Sequence, residues 1–192
     1  RRAGPIDHTA RTLLRQRLHR RQFVSNHACT APTSAVRLRP DRYFATWACV
    51  PCNLFNLRQL VSESTLVLDC TDNFNTRFAL NRASVSSKVP LVSGAAIRGE
   101  GQLSVYDPRQ SESPCYHCLY PEQGNEDLTC SEAGVIAPLV GMIGSAQAME
   151  AIKVISEVGR PLVGRLLLLD AWQMEWREMK LAKDPDCSVC AG

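Results

Sequence analysis

Apolar and polar positions follow two regimes along this chain. From Thr65 onward they are orderly: LVLDC at 66–70 is a short apolar run closing on the polar cluster TDN, the pattern of a buried strand. Helical spacing follows from about Asn75 to Lys88, with Phe78, Leu80, Ala83 and Val85 available to one face. VPLVSGAAI and GQLSVYD read as two strands. The stretch IAPLVGMIGSAQAMEAIKVISEV at 136–158 predicts a long apolar helix opening near Pro138, in which Gly141, Gly144 and Ala148 permit close packing. RLLLLDAW and WREMKLAK read as strands again. Strand–helix–strand alternation predicts an α/β domain with a mostly parallel sheet. No run approaches eighteen apolar residues, no apolar leader core stands near the start, and no internal repeat is visible.

The first sixty residues differ. They show little periodicity beyond RTLLRQRLHRRQFV, which offers a turn or two of basic helix, and Pro32, Pro40 and Pro51 punctuate the rest. They hold eleven Arg, no Lys, two Asp and no Glu, a net +9, and one glycine, Gly4. The remainder holds eleven basic and seventeen acidic residues, a net −6, so the overall +3 conceals a sharp break. The expected division is therefore an atypical basic segment, 1–60, poorly ordered or frameshifted, followed by a patterned domain, 61–192. A nucleic-acid arm and a transit peptide are alternatives, but no finger or helix-turn-helix pattern supports the former. If the segment stands in place of the first strands of a parallel sheet, the LVLDC strand is left with an unpaired edge.

Nine cysteines in 192 residues is a high and odd count for a chain too large to be a small secreted scaffold. They read first as thiols or metal ligands, in a reducing cytoplasm. Cys115-x-x-Cys118 and Cys187-x-x-Cys190 are two knuckles, each able to offer two thiolates to one tetrahedral zinc. The ion would then staple the C-terminal segment to a mid-chain loop; redox pairs are the competing reading. His117, inside the first knuckle, is expected to be a spectator. Cys130, in LTCSEAG just before the long helix, is either a nucleophile with a lowered pKa or a thiol without a role. Asp72 and Asn73 follow the LVLDC strand and precede a helix, which either side chain can cap.

The motifs LVLDCTDNFNTR, KVPLVSGAAIRGEGQLSVYD, CYHC, TCSEAGVIAPLVGMIGSAQAMEAIK and CSVC, in that order, resemble the ThiF/MoeB/HesA family, bacterial relatives of ubiquitin-activating enzymes. VPLVSGAAIRGEGQ, APLVGMIGSAQAMEAIK and WREMKL look nearest the molybdopterin-synthase branch; the thiamine-pathway branch is the alternative. The resemblance covers about residues 66–192. It implies a partial Rossmann-like, mostly parallel sheet with a C-terminal antiparallel portion and a four-cysteine zinc staple.

By the same resemblance, the activity is Mg-ATP-dependent adenylation of the C-terminal glycine of a ubiquitin-like sulfur carrier ending in Gly-Gly, for molybdenum-cofactor synthesis. Asp72 matches the magnesium-binding acid, and Cys115, Cys118, Cys187 and Cys190 match zinc ligands. Cys130 matches a thiol that becomes linked to the carrier in some members, and Arg77 is expected to brace the sheet edge. The implied partners are the carrier, a second copy of the chain and a sulfurtransferase, with neither nucleic acid nor membrane. One departure stands out: the family's glycine-rich ATP loop has no counterpart, since no G-x-G-x-x-G occurs in the 192 residues. A non-catalytic, zinc-stapled module that only binds the carrier is therefore the second reading.

Overall fold

A computed structural model describes residues 22–27, 34–38, 45–49, 54–121 and 134–191. The described strands are β1 (Gln22–His27), β2 (Ser34–Leu38), β3 (Ala45–Cys49), β4 (Leu66–Cys70), β5 (Leu91–Ile97), β6 (Glu100–Tyr106), β7 (Arg165–Asp170) and β8 (Glu175–Lys180). The helices are α1 (Leu54–Ser62), α2 (Phe74–Ser87), the short α3 (Tyr116–Leu119) and α4 (Ala137–Ser156). The strands form an eight-stranded sheet in the order β3-β2-β1-β4-β5-β6-β7-β8. Its centre, β1–β4–β5, is parallel, and antiparallel pairs extend it at both ends. The Rossmann-like character is thus concentrated at the middle, and antiparallel pairing reaches further than the C-terminal portion that the resemblance implies.

Two expectations for the first segment are corrected. Gln22, Phe23 and Val24, placed at the end of a basic helical stretch by the sequence reading, lie in β1; the rest of that stretch falls outside the described residues. Nor is β4 an edge, because β1 pairs with it from Phe23↔Leu66 to His27↔Cys70. Backbone pairing explains why a strand with so little apolar periodicity still fits: a central parallel strand needs its donors and acceptors matched on both sides more than it needs a fixed face.

From β4 onward the pattern behaves as read. Successive residues of β4 and β5 point to opposite layers. Val67 and Leu91 join Leu57, Val61, Phe78, Leu80 and Tyr116 on the α1/α2 side. Leu66 and Val92 join Leu103, Val105, Ala151 and Ile155 on the α4 side. Pro138 opens α4 at the first turn, where its missing N–H costs nothing. The helix lies close against the sheet because two facing positions are glycine. A Cβ on Gly101 would stand 2.6 Å from Ile143 Cδ1, and one on Gly94 2.4 Å from the Gln147 side chain. By length and composition α4 is the one described helix apolar enough to cross a membrane, yet its inner face is a core face, burying Leu139, Ile143, Gln147, Glu150, Ala151, Val154 and Ile155.

The sequence reading found the existence of α2 but not its logic. Besides Phe78, Leu80 and Ala83, the helix buries Arg77, Asn81 and Ser84. These three recur at helical spacing and form a polar stripe within the buried face. Each has its own partner. Ser84 Oγ donates to the Val89 carbonyl (2.6 Å) and closes the turn into β5, while Arg77 and Asn81 reach the two sites described next.

Candidate functional site

Asp72 stands two residues beyond β4, outside the carboxyl end of the parallel centre, where open α/β sheets bind ligands. Its carboxylate is partly exposed and makes no hydrogen bond or ion pair among the described residues. Asn73, not Asp72, caps α2: its Oδ1 accepts the Thr76 backbone N–H at 2.9 Å. Of the two neighbours, the capping role thus falls to Asn73.

The turn carrying Asp72 is held from below by buried polar groups. Asp69 is fully buried; its Oδ1 accepts the Thr71 backbone N–H (3.0 Å) and hydroxyl (2.8 Å), and its Oδ2 accepts the Ser93 hydroxyl (3.0 Å). Arg77 Nη1 lies 3.5 Å from Asp69 Oδ2, and Nη2 donates to the Thr71 carbonyl and, at 3.2 Å, to the Gly94 carbonyl. One guanidinium thus supplies the countercharge and clamps the end of β4 to the middle of β5, as its fork of rigid donors suits it to do. From the other layer, Gln147 Nε2 donates to the Asp69 (2.8 Å) and Val92 (3.3 Å) carbonyls, and the Cys70 thiol donates to Gln147 Oε1 at 3.5 Å. Arg77 was anticipated as a brace at the sheet edge; it braces the sheet's centre. Asp69, Ser93 and Gln147 were not singled out. Asp69 is the one sequence reasoning had a signal for, since a carboxylate inside an otherwise apolar strand must be paired.

The four knuckle cysteines converge. The Sγ atoms of Cys115, Cys118, Cys187 and Cys190 all lie within 4.8 Å of one another. Three of the edges measure 3.7 Å (Cys115–Cys187), 3.9 Å (Cys115–Cys118) and 3.5 Å (Cys118–Cys190). A tetrahedron of thiolates at about 2.3 Å from a central zinc has edges of about 3.8 Å, so donor type and size both fit.

Burial pushes the Cys115 thiol up to about 11, and burial with the neighbouring thiols pushes Cys190 up further. Cys187 is raised by burial too, but the backbone N–H groups of Val189 and Cys190 bring it down to about 6. Cys115 and Cys190, held up in this way, ionise at neutral pH only with a cation beside them. The loop entering the first knuckle is fixed by Asp107, whose carboxylate accepts from Arg109 Nε (2.7 Å) and Nη2 (2.8 Å) and from Gln110 Nε2 (3.0 Å). His117 is not one of the four, but neither is it a bystander: its Nδ1 lies 3.6 Å from Cys187 Sγ. Cys130 lies outside the described residues.

A sheet with a parallel centre, a carboxylate just beyond its carboxyl end and a four-thiol cluster joining a mid-chain loop to the C-terminal segment define an α/β domain whose cysteines are placed to hold a metal ion. A family model described as the ThiF family matches residues 9–189, and the chain belongs to that family. The matched span takes in most of the basic first segment.

Among curated relatives, the molybdopterin-synthase adenylyltransferase of Salmonella typhimurium is 52% identical over 134 residues, 70% of this chain and 53% of that protein. The protein named adenylyltransferase and sulfurtransferase MOCS3 of Drosophila persimilis is 36% identical over 185 residues, 92% of this chain and 41% of that protein. The chain spans about half the length of the curated relatives it matches. Among solved structures, E. coli MccB with ATP has a TM-score of 0.62 at 18% identity, covering 76% of this chain and 45% of that one, a likeness of fold.

Proposed function

We propose that this chain is the C-terminal part of an adenylyltransferase that uses Mg-ATP to activate the C-terminal glycine of a ubiquitin-like sulfur carrier, in molybdenum-cofactor synthesis. The glycine carboxylate oxygen attacks the α-phosphorus of ATP, the acyl-adenylate forms, and pyrophosphate leaves. The observation that carries the reading is Asp72, an uncommitted carboxylate at the ligand-binding end of a parallel centre, on a turn pinned by Asp69 and Arg77. When bound, Mg²⁺ neutralises charge on the phosphates, and a hard carboxylate oxygen is the ligand it prefers. Asp72 holds the ion, Asn73 fixes the start of α2, and Arg77 keeps both from drifting. The 52% identity to a protein named for molybdopterin synthase favours that pathway over the thiamine one.

The test is ATP–pyrophosphate exchange with a carrier ending in Gly-Gly. Asp72→Ala is expected to lower the exchange rate about a hundredfold or more, the usual loss when a group stabilising transition-state charge is removed. No exchange at any carrier concentration would remove the adenylation reading for this chain. Carrier capture without ATP dependence would instead support a binding module, and exchange with a thiamine-pathway carrier alone would move the pathway.

Three further parts belong to this reading. The four thiolates hold one zinc, and their presence unpaired by disulfides suits a reducing compartment such as the cytoplasm. A sulfurtransferase is the partner expected to receive the adenylated carrier, because a relative carries both activities in its name. A second copy packs on the outer face of α4, where Val140, Met149 and Ile152 are exposed beside Gly141, Gly144 and Ala148. Ala148→Arg is expected to convert dimer to monomer in sedimentation velocity. An unchanged sedimentation coefficient would rule that face out.

A further inference from the structure

We propose that Asn81 is a positioning residue of the metal clasp, donating a hydrogen bond to the Cys115 thiolate and so setting both the place and the charge of that ligand. The inference rests on the zinc assignment above and concerns a residue three elements away in sequence from the knuckle. Asn81 is 1% exposed, in the middle of α2. Its Oδ1 accepts the backbone N–H of Tyr116 at 2.9 Å, and its Nδ2 lies 3.5 Å from Cys115 Sγ.

The amide orientation follows from chemistry. The Tyr116 N–H can only donate, so the oxygen must face it, and the NH₂ must then face the sulfur. Tyr116 is the first residue of α3, and its N–H has no partner within that helix. A single amide therefore caps the helical turn between the first two ligands and supplies a donor to one of them.

The charge arithmetic explains why such a donor is wanted. Four thiolates around one divalent ion leave a net charge of about −2 in a half-buried site, and outer donors are what disperse it. Backbone donors serve the cluster in the same way, the Cys115 N–H toward Cys118 Sγ (3.4 Å) and the Val189 and Cys190 N–H groups toward Cys187. Asn81 is the one among these that comes from another element. A packing role alone would ask for a buried apolar side chain at this point of α2, where burying an amide costs free energy unless its donor and acceptor are both used.

The test uses the full chain and the metal itself. Zn²⁺ affinity is measured by chelator competition for the parent, for Asn81→Asp, which keeps the shape and the acceptor but sets a carboxylate oxygen against the sulfur, and for Asn81→Leu, which removes both bonds. Each variant is expected to bind zinc about ten- to a hundredfold more weakly, the usual loss on removing an outer-shell partner. Co²⁺ substitution adds a readout that packing does not move: without the N–H donor the thiolate is more electron-rich, and its charge-transfer band shifts to lower energy.

A measurement on the parent protein avoids variants altogether. In the ¹¹³Cd-loaded chain, the Asn81 side-chain NH₂ is expected to show scalar coupling to cadmium through the N–H···S bond, with the Cys115 backbone N–H as internal reference. Coupling at Cys115 without coupling at Asn81, or variants with parental affinity and parental band energy, would overturn the role of Asn81 while leaving the clasp intact. A parent chain that takes up no metal would overturn the zinc assignment first.

Discussion

Replacing Cys187 by alanine is expected to empty the metal clasp and release the C-terminal segment from the body of the domain. Leu181 is tied down by its N–H to the Gly164 carbonyl (2.8 Å) and Lys183 by its Nζ to the Ser111 carbonyl (3.1 Å). Beyond these, among the described residues, the thiol cluster and the His117–Cys187 contact link residues 184–191 to the knuckle at 115–118. Structural zinc supplies on the order of 10 kcal/mol, comparable to the whole stability of an ordinary domain at about 5–15 kcal/mol.

Zinc content should therefore fall from one equivalent to none in Cys187→Ala, and chelator added to the parent should lower its melting temperature steeply. Thiols must lose their protons to bind, and burial raises those of Cys115 and Cys190. Protons therefore compete more strongly as pH falls, and zinc affinity is expected to drop on acidification. Full zinc retention in Cys187→Ala would sink the proposed clasp.

The second large effect is expected at Arg77. Arg77→Met leaves Asp69 buried with hydroxyl donors but no countercharge, since its carboxylate and the guanidinium are 1% and 6% exposed. Breaking a buried pair by removing one partner costs about 3–5 kcal/mol. With a urea slope of about 2 kcal/mol/M, the unfolding midpoint should move down by about 2 M. The double replacement Asp69→Leu with Arg77→Met is expected to cost less than the sum of the two single changes, because it removes the stranded charge as well. Strict additivity would mean the 3.5 Å pair carries no energy of its own. Because Arg77 also holds the Thr71 carbonyl, the single variant should lose Mg-dependent exchange beyond what lowered stability explains.

These two sites differ in how far the sequence foretold them. The thiol cluster was legible because two short-spaced pairs announce their own chemistry; only the distance between pairs left open whether they meet. The Asn73 cap was legible because a polar cluster between an apolar strand and a helix has few roles available. The buried face of α2 was not. Arg77, Asn81 and Ser84 interrupt the apolar spacing that identifies a core face, so periodicity marks them as outward-facing. Their partners are set by tertiary structure, at separations of 17 residues to Gly94 and 34 to Cys115, which local pattern does not encode. The helical reading of Gln22, Phe23 and Val24 failed for a related reason. β1 carries few apolar residues, and what admits it to the sheet is backbone pairing with β4.

The polar stripe of α2 also makes the helix a ruler. Asn73 marks one end, beside the proposed magnesium ligand, and Asn81 reads the clasp eight positions on, a rise of about 12 Å. Adding or deleting one residue between them would swing Asn81 around the helix by about 100°, away from Cys115, while leaving every apolar contact before the change in place. Length variation among homologous chains should consequently be confined to the loops on either side of α2. A helix of altered length here would be a sign that one of the two sites has been abandoned.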